Sequence, residues 1–258
     1  MSRKIKKFVV IGSSRGLGEA IVEEILESPD TYVFGVARTP LRDLPSCLRW
    51  SESNRYYHFE LDIGNDAVQE RLAEVCERLP NEAVCVILNA AYVESEVDQR
   101  GVLDYSIVRE INQVGIDGVI KVVECFEEHL KRHNGVMVGV SSFSVYTPIA
   151  IEPMLAYAAS KSYLDSFLRG LGRIWRGKAS VLLVHLGRMG GKNRRRFPNF
   201  LVPTYQNVAR MIIAQSNRTQ GYREINYPII YSVIYRYGLK MIPNKIFEMM
   251  NRSVFRKK

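Results

Sequence analysis

Short apolar runs alternate along this chain with longer stretches whose apolar residues recur every three or four positions. Lys7–Ile11, Thr31–Val36, Tyr56–Leu61, Ala83–Leu88, Val136–Val140 and Ala179–Leu186 have the length and composition of strands, and Gly221–Asn226 adds a last one. Between them, Glu19–Leu26, Asn65–Leu79, Asp104–Lys131, Leu155–Trp175 and Pro203–Ser216 carry the helical pattern. Strands that alternate with helices are joined by crossovers, so the pattern predicts an α/β domain with a parallel sheet covered on both faces. It groups residues 1–226 as that domain and leaves 227–258 as an aromatic and basic extension of it.

Composition narrows the picture. With 258 residues and 47% apolar content, the chain can bury one large core. Four of its first seven residues are basic, and they pass straight into a short apolar strand, too short for a signal-peptide core or a membrane span, so a cytoplasmic location is expected. Cys47, Cys76, Cys85 and Cys125 lack metal-ligand spacing and His residues complete no zinc pattern, so the cysteines read as reduced packing residues and no metal is implied. The net charge of +9 is uneven: five basic residues and no acid fall between Arg188 and Arg196, and seven against one acid between Arg236 and Lys258. Such clusters attract anionic partners. No nucleic-acid module accompanies them, so nucleic acid is not an expected partner, and a phosphorylated or otherwise anionic small substrate is. The extension of residues 227–258 fits a homo-oligomer contact (dimer or tetramer), a cap on the substrate pocket, or peripheral contact with a membrane interface.

Two motifs carry chemistry. Gly12-Ser-Ser-Arg-Gly-Leu-Gly18 lies between a predicted strand and helix, where small residues admit an anionic pyrophosphate to the helix N-terminus. The second strand ends at Gly35-Val-Ala-Arg38, and an arginine there, helped by Arg15, suits a 2′-phosphate where a carboxylate would suit a free ribose hydroxyl. NADP, as NADPH, is therefore favoured over NAD. Downstream, Tyr157 and Lys161 stand four residues apart on a predicted helix, so the ammonium can favour the phenolate and bring a phenol of ordinary pKa about 10 toward acid–base use.

These motifs occur in the order found in the classical short-chain dehydrogenase/reductase family, which the chain resembles from about Phe8 through Asn226. The resemblance implies a Rossmann-type doubly wound sheet and an NADP-dependent oxidoreductase interconverting a carbonyl and a secondary alcohol; the alternative is a non-catalytic NADP-binding or scaffold protein that keeps the fold. It implies cofactor contacts from Gly12, Ser14, Arg15, Gly16, Leu17, Gly18, Arg38, Asp62, Asn89, Ala90, Tyr157, Lys161 and Gly187. Asp62 matches the residue that meets the adenine edge, and it also suits a helix N-terminal carboxylate. The implied catalytic set is Asn112, Ser142, Tyr157 and Lys161, with Asn112 holding a water relay to the lysine and Ser142 orienting a carbonyl oxygen. Ser142 stands 15 residues before Tyr157 where the family uses about 13, which keeps Ser144 as a rival. Ile11 replaces the family's usual Thr, Ala91 its Gly, Leu186 its Pro and Gly191 its carboxamide-binding Thr.

Overall fold

The computed structural model describes residues 4–43, 54–98, 101–146, 154–190 and 202–233. Seven strands form one parallel sheet: β1 Lys7–Ile11, β2 Tyr32–Ala37, β3 Tyr56–Glu60, β4 Val84–Leu88, β5 Val136–Ser142, β6 Ser180–Leu186 and β7 Tyr222–Tyr227. Their order is β3-β2-β1-β4-β5-β6-β7. The direction of winding reverses between β1 and β4, which opens a crevice at the carboxyl ends of those strands.

Helices cover both faces. They are α1 Gly16–Leu26, α2 Val68–Glu77, α3 Tyr105–Asn112, α4 Gly118–Arg132, α5 Leu155–Ile174 and α6 Tyr205–Arg218, with a short α7 at Ile229–Val233. The two-residue period of β1 splits its side chains between two cores. Phe8 and Val10 pack with Ile21 and Ile25 of α1 and Ile212 of α6. Val9 and Ile11 pack with Leu72 of α2, Phe126 of α4 and Leu168 of α5. Each such fully buried side chain contributes about 1.5–3 kcal/mol by transfer from water. Arg55, just before β3, closes α1 by donating to the carbonyls of Leu26 and Ser28 at 2.9 and 2.7 Å. Those carbonyls lie at the helix end, where intrahelical amides run out.

The expected elements recur with shifts of a residue or two at strand ends, and α2 begins at Val68, three residues later than the pattern suggests. The long helical stretch from Asp104 is different. It opens with Asp104 accepting the Ser106 amide at 2.9 Å, then breaks into α3, a π-helical turn at Gln113–Asp117, and α4. The cause is packing: a Cβ on Gly115 would lie 2.8 Å from the Ser160 Cβ, so this turn is pressed against α5 where only glycine fits. Cys85 is buried, Cys76 and Cys125 are partly buried, and none of the three is in a disulfide; Cys47 lies outside the described residues. Among the described residues no helix is long and apolar enough to cross a membrane. Gly191, the basic residues 192–196 and the extension beyond Val233 also lie outside the described residues.

Candidate active site

The glycine turn after β1 is locked from both sides. Gly12 has φ of 86°, and its amide donates to the Val36 carbonyl at 2.8 Å. A Cβ on Gly18 would lie 1.8 Å from the Gly12 carbonyl oxygen, so no larger residue fits the first turn of α1. Asn89, just past β4, donates its side-chain amide to the same oxygen at 2.9 Å. Around this turn is a cavity of about 460 Å³ whose walls include Gly12, Ser14, Arg15, Arg38, Asp62, Asn89 and Ala90. Seven of the sequence-predicted cofactor residues thus meet in one place. Gly16 and Gly18 shape the turn behind it, while the Leu17 side chain is buried in the α1 core and leaves only its backbone for a ligand.

The end of β2 supplies the charge. Arg38 is half exposed, pairs with Asp62 at 3.8 Å and lies over the Tyr92 ring, 5.6 Å from its centroid. The alternative of Asp62 as a helix N-terminal carboxylate is not met, because α2 starts six residues later. Beneath Arg38 runs a chain that the sequence pattern did not reveal. Thr39 donates its hydroxyl to Ser14 at 3.1 Å, and its carbonyl meets His58 Nε2 at 2.8 Å. His58 Nδ1 meets the Tyr56 hydroxyl at 3.0 Å, which lies 3.3 Å from the Ser13 hydroxyl. Burial pushes the Tyr56 phenol up to about 12, so it stays a neutral hydrogen-bonding link between β3 and the glycine turn.

One strand beyond Asn89, the carboxyl end of β5 meets α5. Ser142, at the end of β5, acts on the Tyr157 phenol to favour its ionised form, and its oxygen accepts the Ser144 amide at 3.1 Å. Of the two candidate serines, Ser142 is the one whose effect on the Tyr157 phenol is resolved. Lys161 follows one turn along α5, with Nζ 5.8 Å from the Tyr157 ring centroid, and donates to the Val140 carbonyl at 2.9 Å. Asn112 is the last residue of α3, directly before the π turn that packs on α5. Gly187 follows β6 and donates to the Tyr227 carbonyl at 3.2 Å.

The expected lowering of the Tyr157 phenol is not met in this arrangement. Burial raises it, Ser142 opposes that rise, and the Lys161 ammonium is turned toward Val140. Lys161 itself is lowered to about 8 because burial penalises its charge, with Asp165 opposing. A lysine at about 8 in the fold and about 10.5 when unfolded leaves the folded state with fewer bound protons between those values. Its cost to stability is thus full below about pH 8 and fades as pH rises toward 10.5. Lys161→Met removes a cost of roughly 3 kcal/mol, offset by about 1 kcal/mol for the lost Val140 hydrogen bond. Thermal melts at pH 7 should place Lys161→Met several degrees above the parent, with the gap closing by pH 10. A variant that melts below the parent at pH 7 would contradict this account of the site's strain.

Two supports come from far along the chain. Buried Glu96 accepts the Ala156 amide at 3.1 Å, capping the N-terminus of α5 just before Tyr157. Below Lys161, Asp165 accepts from Ser141 at 2.5 Å and lies 2.6 Å from His185 Nε2 and 3.5 Å from Arg169. The Tyr146 hydroxyl lies 3.2 Å from the His185 ring and donates to Glu224 at 2.9 Å, and Arg169 and Tyr222 reach Glu224 at 3.2 and 3.1 Å. Burial raises the Glu224 carboxyl, but the Tyr146 hydrogen bond with His185 and Arg169 holds it below the usual range. The signal for part of this cluster was in the sequence: Tyr157, Lys161, Asp165 and Arg169 repeat at four-residue steps on one face of α5.

With the sheet order, this arrangement is that of a dinucleotide-binding fold with a Ser-Tyr-Lys cluster beside the winding reversal. The chain belongs to the short-chain dehydrogenase family, whose profile matches residues 6–194. It is similar to the short chain dehydrogenase asqE of Emericella nidulans, 27% identical over 177 residues that make up 64% of this chain and 63% of that one. It is also similar to estradiol 17-beta-dehydrogenase 2 of Rattus norvegicus, 23% identical over 63% of this chain and 42% of the relative. The matches thus span less than two thirds of these relatives' own length. A short chain dehydrogenase from Burkholderia cenocepacia, solved in complex with NADP, superposes with a TM-score of 0.73 at 20% identity, covering 97% of this chain and 99% of that one.

Proposed function

We propose that the chain is an NADP(H)-dependent oxidoreductase that interconverts a carbonyl and a secondary alcohol on a small anionic molecule. The observation that carries this reading is Lys161, one turn from Tyr157 and with Nζ 5.8 Å from its ring, at the carboxyl end of β5 where Ser142 acts on the phenol. The cavity fits the dinucleotide. Gly12 and Gly18 leave its floor open to a pyrophosphate at the α1 N-terminus, and Arg15, Arg38, Ser14 and Thr39 offer donors to a 2′-phosphate. When bound, the nicotinamide supplies or accepts a hydride.

The protein's own groups do the rest. Ser142 holds the substrate oxygen by its hydroxyl, and Tyr157 gives that oxygen a proton in reduction or takes one in oxidation. The Lys161 ammonium stabilises the phenolate left behind. Asn112, beside the wide π turn, holds the water through which Lys161 and Tyr157 recover a proton. Ser142→Ala should lower turnover about 10²-fold, the usual cost of one lost oxyanion donor, and Ser144→Ala should be milder. Steady-state rates on folded, nucleotide-binding variants decide between them; a larger defect from Ser144→Ala would move the role to Ser144.

Support for an anionic substrate is the chain's charge of +9 and exposed Arg188 just past β6. Support for contact with a second copy is the aromatic and basic pattern of residues 227–258. The test is a panel of carbonyl and alcohol metabolites, neutral and anionic, followed at the reduced-nicotinamide absorbance band with NADPH or NADP+. Turnover confined to anionic members supports the reading. Equal turnover of neutral analogues removes the anionic preference, and none across the panel removes the enzyme.

A further inference from the structure

Asp165 is buried among charges in a place where an apolar residue would pack at lower cost. Taking a carboxylate out of water costs several kcal/mol, and apolar replacements of buried ion pairs are often the more stable. Its geometry is nonetheless fully specified. Ser141 of β5 donates to Oδ1 at 2.5 Å, and His185 of β6, fully buried, meets Oδ2 at 2.6 Å. Arg169 of α5 stands 3.5 Å from the same oxygen. One turn back on the same helix face is Lys161, and one turn further back is Tyr157.

We propose that Asp165 is a positioning residue for the reaction: its carboxylate, fixed by Ser141 and His185, is the counter-charge that keeps the buried Lys161 ammonium charged beside Tyr157. This rests on the oxidoreductase reading above, because only there does the charge of Lys161 serve a purpose. The groups that face the pair support the assignment. From α5 itself come Tyr157, Asp165 and Arg169; from β5 the Val140 carbonyl with Ser141 and Ser142; from β6 His185; and from β7 Glu224, bound to Tyr146 and Tyr222. Asp117, on the π turn, acts on Tyr163. Asp165 stands one turn from Lys161 on the same face of α5, both buried, and its charge opposes the burial that would neutralise the lysine. Arg169 competes weakly for Asp165, being 41% exposed and closer to Glu224 at 3.2 Å than to Asp165. The His185–Tyr146–Glu224 chain holds the imidazole that in turn holds Asp165, so residues on four elements serve one ammonium.

The test needs no substrate. The full chain labelled with 15N at the lysine side chains is titrated by NMR, with the Lys161 signal assigned by its absence in Lys161→Met. The parent midpoint is expected at about 8. Asp165→Asn, which keeps shape and removes charge, should lower that midpoint by about one pH unit or more, and Asp165→Glu should restore most of it. Once a substrate is in hand, the alkaline limb of the kcat profile should move by the same amount. An aspartate that serves packing alone would lower the melting temperature of Asp165→Asn and leave the Lys161 midpoint in place, which overturns the proposal. If Asp165→Asn does not fold, Asp165→Asn/His185→Gln replaces both partners by neutral groups and carries the same expectation. A shifted midpoint together with full turnover by Tyr157→Phe would instead keep the Asp165–Lys161 coupling and discard the proposed reaction.

Discussion

Tyr157→Phe should lower turnover by ~10² to ~10⁴ while NADPH binds as it does to the parent, because the substitution deletes the one atom that exchanges a proton with the substrate. The ring stays. Its packing on α5 and its place 5.8 Å from Lys161 Nζ do not depend on the hydroxyl, so the fold and the nucleotide cavity should persist. What is lost is the hydroxyl on which Ser142 acts, the acid–base group of the proposed reaction. Single-turnover kinetics separate the chemical step from binding and product release. Turnover within about threefold of the parent would remove Tyr157 from the mechanism.

Arg38→Asp should weaken NADPH binding by roughly 10- to 150-fold, the equivalent of about 1.5–3 kcal/mol for a charge-assisted bond, with repulsion adding to it. Arg38 lines the cavity at the end of β2 and spends part of its charge on Asp62, 3.8 Å away. A second carboxylate beside Asp62 leaves this corner negative. A 2′-phosphate is then repelled, whereas the 2′-hydroxyl of NADH can donate to the new carboxylate, so NADH binding should hold or improve. Calorimetric titration of both nucleotides into both proteins checks this. An unchanged preference would make Arg38 plain surface and leave the choice of NADP without its main support.

The residues legible in the sequence are those whose partners are near in the chain or whose backbone demands a residue type. Tyr157 and Lys161 are one helical turn apart, and Gly12 and Gly18 occupy positions that a Cβ would fill. The alternation of strands and helices was legible for the same reason, since burial repeats with a local period. Strand order was not derivable from that period, and it is the placing of β4 beside β1 that brings Asn89 to the Gly12 carbonyl. Long-range polar contacts were hidden too. Glu96 caps a helix 60 residues downstream, and His185 looked like one of four scattered histidines until β6 lay beside β5 and set it against Asp165. The π turn between α3 and α4 escaped notice because its residues keep a helical pattern, and its close approach to α5 at Gly115 and Ser160 is a contact made 45 residues apart.

The most direct measurement follows the hydrogen itself. Purified protein is incubated with NADPH deuterated at the nicotinamide C4 and with the carbonyl panel, and products are read by mass spectrometry. One deuterium on the new carbinol carbon for each NADP+ formed, lost in Tyr157→Phe, is the predicted result. Tight NADPH binding with no transfer to any carbonyl, or transfer equally fast in Tyr157→Phe, would contradict it: the first outcome describes a nucleotide-binding scaffold, and the second a reaction that does not pass through Tyr157.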